Sequence, residues 1–140
     1  MYYFCKNNIK YENIWFIEED VFIPSFQAFR SLHELYSSSY DLVTSELHYN
    51  IQGDIHSWYH WYLAPERFII PWAHGMVCAV GCSRSLLSAI DYYARWRGEV
   101  AFLEFLFHTI AIHNKQMKIV IPYELNTIAY RQKISFEQVK

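Results

Sequence analysis

Apolar and polar residues alternate along this chain with periods that divide it into strands and helices. Ile14-Trp15-Phe16-Ile17 runs through Glu18-Glu19-Asp20 into Val21-Phe22, a stretch of β-formers broken by three acids. Pro24 closes the predicted strand 14–22, because proline donates no ladder hydrogen bond. Ser25 suits an N-cap, and Phe26, Phe29, Leu32 and Leu35 or Tyr36 then recur at helical spacing, predicting a helix over 26–36. From Asp41 to His48, Leu42, Thr44 and Glu46 alternate with Val43, Ser45 and Leu47, the period of a second strand. Residues 49–72 keep no period and read as a long aromatic loop with at most one short helix. Gly75 to Gly81 is apolar throughout, as a strand buried on both faces would be.

Two helices follow. Ser83 or Ser85 caps the first, whose core stripe is Leu86, Leu87, Ile90, Tyr93 and Ala94. Arg95 and Arg97 suit its C-terminal dipole, and Gly98 its C′ position. The second, over 100–113, is apolar nearly all round and is predicted to be buried. Lys118 to Ile121 is a last short strand stopped by Pro122, and 123–140 is a tail of mixed character. Elements in this order predict one α/β domain over 1–140.

Composition narrows the function classes. Hydrophobic residues make up 53% and charged residues 19% of 140, enough for one packed core and too apolar for a disordered chain. The net charge of −2 and the lack of a basic run argue against nucleic acid or an anionic membrane as the main partner. No apolar run approaches the ~20 residues of a membrane span, and residues 1–13 lack a signal-peptide pattern, so a cytoplasmic protein is expected. Cys5, Cys78 and Cys82 make no CxxC spacing and read as small buried hydrophobes. The 19% of aromatic residues implies an aromatic core or a stacking surface.

Four groups are candidates for chemistry. A strand ending in acids delivers carboxylates to the sheet edge where α/β proteins bind ligands, and hard cations take carboxylate oxygens. Strand alternation puts Glu18 and Asp20 on one face and Glu19 on the other; a solvated acidic turn is the plainer alternative. Glu104 lies inside the most apolar segment. Burial would raise its pKa toward that of a neutral-pH base, unless it serves only as an i,i+4 partner of His108. His56 and His60 have the spacing of a helical zinc pair, without the Glu of a protease motif; Trp58-Tyr59-His60-Trp61-Tyr62 reads as a sugar-stacking wall or a core lid. Arg84 opens a predicted helix, where an anion or plain solvent would face it. No dinucleotide fingerprint, P-loop or nucleophile elbow is present.

Four segments in order resemble the second half of a GT-A-type glycosyltransferase (nucleotide-diphospho-sugar transferase) domain, of the kind found in algae and large DNA viruses. Tyr11 to Phe22 resembles the strand ending in the DxD-type metal motif. Met76 to Leu87 resembles the strand, turn and helix on the acceptor side. Gly98 to Phe107 resembles the helix start carrying an acid near the acceptor, and Pro122 to Asn126 the segment after the last core strand. The resemblance covers about residues 11–131. It implies a partial GT-A-like α/β/α sandwich with a short mixed sheet, lacking the N-terminal nucleotide-binding half. It further implies Mn²⁺ or Mg²⁺ on Glu18 and Asp20, and Glu104 as the base in an inverting displacement. Trp58, His60, Trp61 and Trp72 would shape the sugar or acceptor pocket, with Arg84 also binding substrate. The implied partners are a nucleotide-sugar and a glycan or protein acceptor, with a second copy or a separate N-terminal half completing the sheet. The rival expectation is a non-enzymatic, aromatic-rich carbohydrate- or protein-binding module, a remnant of such an enzyme.

Overall fold

The computed structural model describes residues 10–128. Its main sheet is built from β1 (Asn13–Ile17), β2 (Leu42–Val43), β5 (Ala79–Ser83) and β6 (Ile119–Val120), in the order β1-β5-β2-β6. β5 runs antiparallel to both of its neighbours, whereas β2 and β6 are parallel, so the sheet is mixed. A second, two-stranded antiparallel sheet joins β3 (His48–Asn50) to β4 (Trp72–His74).

Strand alternation sorts the sheet residues into two layers of contact. Ile14, Phe16, Leu42, Val80, Cys82 and Ile119 face α2 (Arg84–Arg97) and α3 (Leu103–His113). Trp15, Val43, Ala79 and Val120 pack with Leu32 of α1 (Phe26–Tyr36) and Leu125 of α4 (Tyr123–Asn126). Helices therefore cover both faces of a short mixed sheet. No helix among the described residues is long and apolar enough to cross a membrane.

The helices form where their patterns predict. The Ser25 side chain accepts from Ala28 N at 3.0 Å to start α1. Ser83, not Ser85, caps α2, accepting from Leu86 N at 3.1 Å while donating to Asp41 Oδ1 at 2.6 Å. Gly98 ends α2 at φ 74°, a left-handed conformation that glycine adopts without a Cβ clash. The α1 stripe is only partly used: Leu32 is buried, but Phe26 and Leu35 are exposed.

The strands depart from their predicted bounds. β1 stops at Ile17, and Glu19 and Asp20 form a turn closed by Val21 N donating to Glu18 O at 3.1 Å. The predicted strand 41–48 is two short strands in different sheets. The apolar run from Gly75 becomes strand only at Ala79, and its first residues form an irregular connector from β4. The aromatic loop 49–72 holds the end of β3, a 3-10 helix over Tyr59–Leu63 and the start of β4. The predicted helix 100–113 begins at Leu103. Of the predicted tail, 123–126 is α4, and residues beyond 128 lie outside the described part.

Candidate functional site

β1 and β2 run in the same direction, and each is followed by an acid: Glu18 directly after β1, Glu46 three residues after β2. Glu104 sits in the first turn of α3, above the same sheet edge. The connector 75–78 ties the three together. Gly75 N donates to the Glu104 carbonyl at 3.1 Å, Met76 N to Glu46 Oε1 at 3.2 Å, and Glu18 N to the Cys78 carbonyl at 2.8 Å. Gly75 has to be glycine because a Cβ there would run into the Glu46 carbonyl and the His108 ring.

Desolvation raises the pKa of Glu104; the His60 charge opposes that shift, and the Glu46 and Glu18 charges add to it. Among the described residues nothing hydrogen-bonds its carboxylate. The i,i+4 pairing with His108 uses the backbone instead: His108 Nδ1 lies 2.7 Å from the Glu104 carbonyl. His108 Nε2 lies 3.0 Å from Thr44 Oγ1, and this fully buried contact joins α3 to the end of β2. Three like charges brought within electrostatic range of one another disfavour folding, and such arrangements cluster at functional sites.

A wall of rings borders the carboxylates. His48 and His74 face each other across β3 and β4 and stack at 4.9 Å. Trp58 lies flat on the other side of His74, with centroids 4.1 Å apart and planes 5° from parallel. His60 meets Trp58 at 5.0 Å and stacks on Phe102 at 4.3 Å. His48 Nε2 reaches Glu46 Oε2 at 3.2 Å. Burial and the His48 charge push His74 down to about 4, against the pull of Glu46. β4 is held under this wall by Thr109 of α3, whose buried hydroxyl accepts from Ala73 N and donates to Ala73 O, both at 3.0 Å.

The sequence-predicted site residues divide into two groups. Glu18, Glu104, Trp58 and His60 come to this edge. Glu18 and Asp20 do not share a strand face, since the strand has ended before both. Asp20 is exposed in the turn, where nothing among the described residues hydrogen-bonds its carboxylate. Trp61 and Trp72 are core residues, 2% and 4% exposed, and Trp72 Nε1 donates to the Phe68 carbonyl at 2.9 Å, so neither can form a pocket wall. Arg84 belongs to the other end of the sheet. Its guanidinium donates to the Tyr11 carbonyl at 3.0 and 2.6 Å, and its N–H to Glu12 O. Six residues of extended chain separate Glu12 from Glu18, about 20 Å. His56 lies in a turn before the 3-10 helix, with its N–H on Asp54 Oδ1, so the helical His56–His60 zinc geometry does not form.

Glu46, His48, His74 and Phe102 are missed by sequence reasoning. Only Glu46 carries a readable signal, because Leu42 to Glu46 repeats the strand-then-acid order of Ile14 to Glu18. Among the described residues no three His, Cys, Asp or Glu side chains form a ready ligand set. The donors at the edge are carboxylate oxygens, which suit a hard cation held by one or two carboxylates with phosphate oxygens completing its shell. No protein-family model, no curated protein and no solved structure matches the chain.

Proposed function

We propose that the protein is a GT-A-like glycosyltransferase domain that moves a sugar from a nucleotide-sugar to an acceptor hydroxyl. The observation that carries this reading is the gathering of Glu18, Glu46 and Glu104 at one sheet edge, with Glu104 raised in pKa and without a hydrogen-bond partner among the described residues. Glu104 is the base: its carboxylate takes the acceptor O–H proton as the acceptor oxygen bonds to the anomeric carbon and the nucleoside diphosphate leaves. Trp58 and His60 orient the acceptor against it. Glu18 at the edge, with Asp20 two residues on in the exposed turn, would hold Mn²⁺ or Mg²⁺, which when bound would neutralise charge on the diphosphate leaving group.

A base must be deprotonated to act. The raised Glu104 pKa therefore moves the acid limb of the rate profile above the ordinary carboxylate value of 4.5. The test is nucleoside diphosphate release from a panel of nucleotide-sugars with Mn²⁺ across pH. Glu104→Gln is expected to lower kcat by at least about 10²-fold, the lower end for loss of a general base, and to erase the acid limb. Turnover by Glu104→Gln close to that of the unaltered protein would overturn the assignment. Full activity in Asp20→Ala would remove the metal role from that residue.

A further inference from the structure

The 3-10 helix Tyr59–Leu63 sorts its aromatic residues into two roles. Such a helix repeats every three residues, so side chains at i and i+3 lie one above the other. Trp58, at the N-cap, and Trp61 share the inner side and meet edge to face at 5.0 Å. Tyr59 and Tyr62 share another side, meeting at 6.1 Å, and are 79% and 56% exposed. Trp61 and Ala64 are buried, so the tyrosines are held outward by an anchored element. Tyr59 continues into His60 at 4.9 Å, and His60 into Phe102 and Trp58, which borders the carboxylates. The result is a stepped track of rings from the surface to the edge where Glu104 lies, with Tyr62, Tyr59 and His60 turned 72° and 82° to one another and His60 stacked on Phe102.

We infer that Tyr62, Tyr59, His60 and Phe102 form a platform for an extended neutral oligosaccharide whose end reaches Glu104. Sugar rings present apolar C–H faces that lie on aromatic faces, while their hydroxyls meet the phenol and imidazole tips. The three carboxylates at the inner end disfavour an anionic chain. A protein partner needs roughly 800 Å² from each side, more than these few partly exposed rings offer. That the chain's end is an acceptor rests on the role proposed for Glu104; the platform itself does not.

Binding tests the platform separately from turnover. The full chain is titrated with neutral hexasaccharides of the glucose, mannose, galactose and N-acetylglucosamine series, and with the matching monosaccharides, by calorimetry. At least one hexasaccharide is expected to bind tenfold or more tightly than its monosaccharide. The double variant Tyr59→Ala/Tyr62→Ala should lose that length dependence with its melting temperature unchanged, while Glu104→Gln should retain it. The inference is overturned if no hexasaccharide gains over its monosaccharide, or if the double variant binds like the unaltered protein. Self-association abolished by the same double variant, without glycan binding, would make the patch a protein interface and would also overturn it. Length-dependent binding alongside turnover unaffected by Glu104→Gln would leave the platform standing and remove the base.

Discussion

His108 has its protonation state fixed by what surrounds it. A carbonyl only accepts, so His108 Nδ1 must donate to Glu104 O, and in the neutral ring Nε2 accepts the Thr44 hydroxyl proton. Charging the ring would force that hydroxyl to turn its proton toward the carbonyl of Glu46 or Met76. Burial lowers His108 from 6.5 to about 4, and the nearby His74 and His48 charges act in the same direction. Below pH 6.5 the unfolded chain takes up a proton that the folded chain refuses until about pH 4. Stability therefore falls as pH drops through that window, by on the order of 3 kcal/mol from this group. Urea melts at pH 7, 5.5 and 4 should show the decline, and His108→Gln should reduce its slope by about one proton. Glu104 could be singled out in sequence because a charge interrupts an apolar helix. The Thr44–His108 contact could not, since its members are 64 positions apart and nothing in either segment names the other.

At the scale of elements, the main helices were legible with their caps, whereas the strands of the main sheet were legible in place but not in their bounds. The helices that cover the main sheet rest on local spacing and caps, and Ser25, Ser83 and Gly98 stand where those rules put them. β2 and β6 lie inside the predicted strands 41–48 and 118–121 but are only two residues each, because pairing with distant chain sets their ends and no window of sequence reports that pairing. The Trp58-Tyr59-His60-Trp61-Tyr62 run carried a readable signal after all: its aromatic types repeat every third residue, the period of the 3-10 helix it forms. One hydroxyl of α3 satisfies both backbone groups of Ala73 in β4. Thr109→Val keeps the shape but strands the Ala73 N–H and carbonyl. We expect a loss of about 1–3 kcal/mol for each group left unsatisfied, measured by denaturant melts, with Thr109→Ser largely retaining stability.

Across the whole molecule, the mixed sheet with helices on both faces agrees with the α/β class read from element order. Its described edges are β6, two residues long, and β1, five residues long. Glu12, Ile14, Phe16 and Glu18 bond to the β5 side, so the backbone groups of Asn13, Trp15 and Ile17 point outward without a strand partner among the described residues. A free edge is a template for another strand. This favours completion of the sheet by a second copy or by a separate α/β half, as the binding-module reading requires. Light scattering at micromolar concentration is expected to give a dimer; a monomer would remove the edge argument for that reading.

The connector 75–78 touches the backbone of Glu104, the side chain of Glu46 and the backbone of Glu18 in turn. Local opening of those four residues would release all three acids in one event, so the amides of Gly75, Met76 and Glu18 belong to one exchange unit. A ligand seated at the edge and the breathing of this short segment are then opposed processes, and the site is either assembled whole or absent whole.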